Sequence, residues 1–141
     1  MYKTKKMNIK FSKKELVKIG KKYSLRFILI YGSYASGDEN ELSDLDVAIH
    51  GRDKLDFKIV MKIHRELSQI FGNNKERELD LVDLSGKDPL FVYQIMKNSH
   101  LLYGNKHDYY CFQAFAMRHY LFNKKIFDLE DVLIEKALQN I

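Results

Sequence analysis

Tyr31-Gly32-Ser33-Tyr34-Ala35-Ser36-Gly37 is followed, after four more residues, by Leu42-Ser43-Asp44-Leu45-Asp46. The apolar run from Phe27 to Tyr31 stops at a glycine, which reads as a buried strand delivering a tight turn. Gly32 lets the backbone turn without a Cβ penalty, and Ser33 places a hydroxyl and an amide there. In an extended segment side chains alternate faces, so Asp44 and Asp46 project from the same one. Two adjacent carboxylates repel each other unless a cation lies between them, and hard oxygen ligands favour Mg²⁺ or Mn²⁺. A Gly-Ser turn suited to phosphate, beside a metal-binding carboxylate pair, describes a site for nucleoside triphosphate chemistry.

Upstream, residues 1–11 are basic and lack a clear period, which predicts a mobile arm. Ser12-Lys13-Lys14-Glu15 has the form of a capping box, with Leu16, Ile19 and Tyr23 following at helical spacing. That predicts a helix over 13–23 and a strand over 25–31. A second strand covers 45–50. A long amphipathic helix covers 55–71, with Ile59, Val60, Ile63, Leu67 and Ile70 as its stripe and Gly72 as its stop. A third strand, 78–84, alternates Leu79, Leu81 and Asp83 against Asp80, Val82 and Leu84. Asp88-Pro89 caps a helix running to about 98. A short edge strand covers 101–103. The aromatic-rich segment 108–123 reads as a helix, broken near Phe127-Asp128, with Asp128 capping a last helix over 129–139. Strands alternating with helices imply an α/β (α+β) layer: a mixed sheet with helices on one face, leaving the carboxylate face open, plus the C-terminal helices.

The chain has 141 residues, one cysteine and a formal net charge of +5. That size suits one domain with a real core. No apolar run reaches membrane-spanning length, and no apolar segment follows the N-terminal lysines as a signal peptide requires. A single cysteine permits no internal disulfide, which fits a reducing cytoplasm. The positive balance suits an anionic ligand or partner, but a solvated basic surface is the plainer reading and nucleic acid is not required. His50, His64, His100, His107 and His119 show no ligand spacing among themselves. They read as surface or packing residues, with His50 a minor candidate near the site. Cys111 reads as buried and inert, and most rings of the aromatic helix as core.

Asp is depleted in strands, so acids at 46, 80 and 83 need a reason. By alternation alone Asp80 and Asp83 are rivals for a third ligand, because a one-residue slip exchanges their faces.

Gly32-Ser33, ten residues, Asp44-x-Asp46, and a later acid in Glu78-Leu79-Asp80-Leu81-Val82-Asp83-Leu84 resemble the motif of the polymerase-β-type nucleotidyltransferases. The likeness covers residues 27–103 well and the C-terminal helices loosely. A lone Gly-Ser or Asp-x-Asp is weak, whereas all three parts in order are specific. The short chain is most similar to the minimal nucleotidyltransferases (MNT), found as antitoxins beside HEPN ribonuclease toxins. The resemblance implies a nucleotidyltransferase palm over 1–105, with 106–141 a helical extension packed on the same domain. It implies Asp44, Asp46 and Asp80 as catalytic metal ligands for two Mg²⁺ ions, ATP as substrate, and Gly32, Ser33 and Ser43 as nucleotide-binding residues. Ser43 also reads as ordering its loop through a local hydrogen bond.

One departure stands out. Related motifs carry an arginine where this chain has Ser36. Arg52 and Lys54 are candidate substitutes, though a solvated side chain is the plainer reading of each. The resemblance implies transfer of AMP to a hydroxyl, a tyrosine of a HEPN toxin, within a hetero-oligomer. Two alternatives remain: a catalytically weak module that neutralises its partner by docking, and a small-molecule, aminoglycoside-type nucleotidyltransferase with its acceptor pocket across a dimer.

Overall fold

The structure is a computed structural model, and it describes residues 11–32, 35, 44–72 and 78–140. Helix α1 spans Lys13–Lys22, and the Ser12 hydroxyl accepts the Glu15 amide as the capping pattern requires. Strand β1 is Leu25–Tyr31 and β2 is Leu45–Gly51. Helix α2, Phe57–Phe71, is capped by Asp56, whose carboxylate accepts the Ile59 amide at 2.9 Å. It stops at Gly72, which has φ +74°. Strand β3 is Leu79–Asp83. Helix α3, Pro89–Lys97, is capped by Asp88, and the edge strand β4, Ser99–Gly104, follows directly.

Helix α4 is one continuous helix of 34 residues, Lys106–Gln139, capped by Asn105. The break expected at Phe127-Asp128 does not occur. Neither residue is a glycine or proline, and an aspartate that could cap a new helix is also tolerated inside an old one at a few tenths of a kcal/mol. Tyr109 and Ala116 are buried, while every residue from Lys124 to Asn140 is exposed. Fewer rings are core than their number suggested: Tyr110, Phe115 and Phe122 are exposed. Cys111 is exposed too, not buried, because it lies off the stripe 109, 112, 116 that faces the sheet.

The sheet order is β3-β2-β1-β4, with β2 and β3 parallel and the other pairs antiparallel. One face carries Ile28, Ile30, Val47 and Ile49 under α1 and α2. The other carries Phe27, Leu29 and Ala48, covered by α3 and the root of α4. On that face α3 and α4 roof the part around Phe27, Leu29 and Ala48, and among the described residues no helix covers the end that carries the acids. Among the described residues, no helix is long and apolar enough to cross a membrane.

His50 lies under that roof at the end of the sheet away from the acids. Its ring packs against Phe27 and Phe112, with centroids 5.3 and 4.9 Å away. Its Nδ1 is buried without a hydrogen-bond partner. Burial first, and the Arg26 charge second, hold its pKa below the ordinary value. A histidine depressed by folding is protonated more readily when unfolded, so its contribution is intact above the unfolded pKa, near 6.5, and is lost as pH falls toward the folded value. Stability should therefore decline as pH falls through and below the ordinary histidine value. Thermal melts of His50→Leu should show a shallower decline than the parent; an equal slope would remove His50 as the cause.

Candidate active site

Four cross-strand neighbours form a row across the open end of the sheet. Asp80 on β3 pairs with Asp46 on β2. Asp46 pairs with Tyr31 on β1, and Tyr31 with Ser99 on β4. Side chains directly opposite one another in a sheet stand within about 5.5 Å at Cβ, so the row is one continuous polar strip. Asp44 immediately precedes β2. Leu45, buried between the two acids, donates its amide to the Glu78 carbonyl at 2.9 Å. That bond fixes the alternation that puts Asp44 and Asp46 on the same side.

The electrostatics reflect this crowding. The Asp46 carboxyl is pushed up from its usual range by burial, then by the charges of Asp80 and Asp44. The Tyr31 hydroxyl is pushed up to about 12, by burial first and by Asp46 and Asp80 after it. Among the described residues, no lysine or arginine forms an ion pair with any of the three acids. Neighbouring carboxylates without a compensating cation offer the hard oxygen donors that divalent metals prefer. Among the described residues, no three such side chains are already gathered around one point; Asp44 and Asp80 are both exposed.

The turn enters the same cluster. Gly32 has φ +75°, and a Cβ built there would run into the Asp46 carboxylate. Glycine is thus required twice, once by the left-handed backbone and once by the acid beside it. Ser33, Ser36 and Ser43 lie outside the described residues. Arg52 follows β2 at the far end of the sheet, where Gly51 pairs with Leu25. Neither Arg52 nor Lys54 is thus placed to replace an arginine beside the acids. Asp83 pairs with Ile49, three positions along the strand from Asp80 and on the opposite face. Its carboxylate accepts the Ser85 amide at 3.0 Å and shapes the turn after β3.

Sequence spacing missed three contributors. Tyr31 ended the quoted strand without a role. Ser99 holds the Tyr109 hydroxyl at 2.5 Å, tying the root of α4 to the row. His100 Nε2 donates to the Ala35 carbonyl at 2.9 Å, tying Ala35 to β4. No local pattern could have joined residues 65 positions apart.

The model of the family Polymerase beta, Nucleotidyltransferase matches residues 14–108, well over half of the chain. The chain belongs to that family. Protein adenylyltransferase MntA of Shewanella oneidensis is 28% identical over 116 residues, 80% of each chain. A putative protein adenylyltransferase of Methanocaldococcus jannaschii is 27% identical over 96 residues, 66% of this chain and 96% of that one. A crystal structure of a toxin–antitoxin with AMP-PNP has a chain that superposes with a TM-score of 0.64 at 23% identity, covering 86% of this chain and 98% of that one. A chain of the tri-AMPylated Shewanella oneidensis HEPN toxin in complex with MNT antitoxin superposes at 0.58 and 22%, covering 86% and 95%. These superpositions establish the shared fold, a mixed-sheet nucleotidyltransferase palm with helices, as the motif implied.

Proposed function

We propose that this nucleotidyltransferase moves AMP from ATP to a tyrosine hydroxyl of a partner protein, and that it is the antitoxin of a HEPN-type toxin. The observation that carries the chemistry is the pairing of Asp46 with Asp80 beside the left-handed Gly32 turn. The protein acceptor is supported by the two adenylyltransferase relatives, one of which spans four fifths of both chains. Nucleotidyltransferases of this kind work with ATP and a divalent metal.

Asp44 and Asp46 would hold a Mg²⁺ ion, and all three acids a second. When bound, the ions neutralise the triphosphate and lower the pKa of an acceptor hydroxyl. Gly32 gives the triphosphate backbone access that a Cβ would block, and Ser33, with Ser43 beside Asp44, is assigned to the nucleotide. Asp80, the most open of the row, accepts the proton as general base. The acceptor oxygen bonds to the α-phosphorus as the bond from that phosphorus to the bridging oxygen breaks, and pyrophosphate departs with the electron pair. AMP on a tyrosine adds charge and bulk, which suffices to silence a ribonuclease site nearby. The extension from residue 106 is assigned to partner contact, not to a small-molecule pocket.

The test is an intact-mass measurement on a HEPN protein of the same organism, incubated with this chain, ATP and Mg²⁺. One or more AMP units should appear on the partner and be absent with Asp44→Asn, Asp46→Asn. A double variant that still binds but no longer neutralises establishes the enzyme. If it neutralises as well as the parent, the protein acts by docking alone.

A further inference from the structure

We infer that the projecting half of α4, residues 121–138, is the docking helix for the acceptor protein; this rests on the proposed transfer to a protein. By helix geometry the 34 residues extend about 51 Å, and the half beyond Asn123 lies clear of the sheet. At 100° per residue, Phe122, Ile126, Leu129 and Leu133 form one apolar stripe. Phe127, Ile134 and Leu138 form a second, roughly 130° round. All seven are exposed, Phe127 at 62%. A helix apolar over so much of its surface is ordinarily covered. The area is on the order of the ~800 Å² that one side of a stable interface contributes.

Charge and symmetry choose the occupant. On a chain of net charge +5, residues 121–138 carry Asp128, Glu130, Asp131 and Glu135 toward the outer end, beside Lys136, with Lys124 and Lys125 at the inner end. A second copy, as a single helix, would cover one stripe and leave the other in water. A groove between two elements of another protein, rimmed by lysine or arginine, covers both stripes and satisfies the acids. The helix is also well placed to register an acceptor. Its root is fixed to the polar row by Tyr109 on Ser99, and to α3 by Gln113, whose side-chain amide donates to the Met96 carbonyl at 2.7 Å. A notch of about 330 Å³, lined by Pro89, Leu90, Tyr120 and Phe127, continues the apolar surface onto α3. A partner gripped there presents its hydroxyl at high effective concentration to the acids.

The test uses the full chain and the HEPN protein of the same organism. Leu129→Glu, Leu133→Glu replaces two exposed side chains, so the parent melting temperature and Mg·ATP binding should persist. Calorimetric affinity for the HEPN protein should fall at least 100-fold, with KM for that protein raised. The charge-reversed Asp128→Lys, Asp131→Lys keeps the apolar stripes and should bind about tenfold more weakly, the gap closing at high salt. Unchanged affinity in both variants overturns the proposal. So does a parent chain that sediments as a dimer and falls to a monomer on Leu129→Glu, Leu133→Glu, since the second copy is then the occupant. A parent that binds through α4 yet adds no AMP supports the docking helix while refuting the transferase, so the two readings fail separately.

Discussion

Asp80→Asn should cut AMP transfer about 1,000-fold, while Asp83→Asn should change it less than about threefold. The carboxylate at 80 faces Asp46 across a parallel pair, at the end of the sheet that no helix covers among the described residues. Its charge lifts the pKa of both Asp46 and Tyr31. A group that holds a divalent ion and takes the acceptor proton supplies several kcal/mol to the transition state, and about 4 kcal/mol is a factor of 1,000 in rate. Asp83 points to the other face and accepts the Ser85 amide. Its loss should cost about 1 kcal/mol of stability, the value of one such hydrogen bond, and leave the chemistry alone. Asp80→Asn should by contrast leave the melting temperature unchanged or raise it, because it removes a charge that repels Asp46. Rates and melts on the two variants decide the matter. If Asp83→Asn is the silent enzyme, the third ligand has been assigned to the wrong face.

That pair of residues also marks how far the sequence carried. Alternation in β3 placed Asp80 and Asp83 on opposite faces but could not say which faced Asp46, because register belongs to the pairing of two strands and not to either one. The caps at Ser12 and Asp88 and the stop at Gly72 were legible, since each is a local hydrogen bond or a backbone angle; the start of α2 was placed at residue 55, and its cap at Asp56 went unread. The single long α4 was not. A capping aspartate after an aromatic looks like a new start, yet nothing at 127–128 forbids continuation. The partial roof over the acid face was hidden for a related reason. It depends on where α3 and α4 return across the sheet, and the aromatic residues of α4 are divided between that roof and solvent in a way no periodicity announces. The Gly-Ser turn and the Asp-x-Asp were legible as a motif. Their common address was visible only in the collision between Gly32 and Asp46.

Gly32→Ala should therefore lower AMP transfer about 100-fold and stability by about 1–2 kcal/mol, the cost of a left-handed backbone for a residue with a Cβ. The stability loss alone does not explain the rate loss, and Gly72 supplies the control. It has nearly the same φ, +74° against +75°, but a Cβ there meets nothing within 4 Å. Gly72→Ala should cost a similar 1–2 kcal/mol, roughly, and leave transfer at the parental rate below the melting temperature. The two variants share the backbone penalty and differ in one respect: only the methyl added at position 32 displaces the Asp46 carboxylate. An acid moved by even about 1 Å from its productive position is enough for a hundredfold loss. Comparing initial rates of AMP incorporation at a temperature where both variants are fully folded isolates that displacement. Equal rates for the two would mean that the turn and the acid are neighbours without being parts of one site.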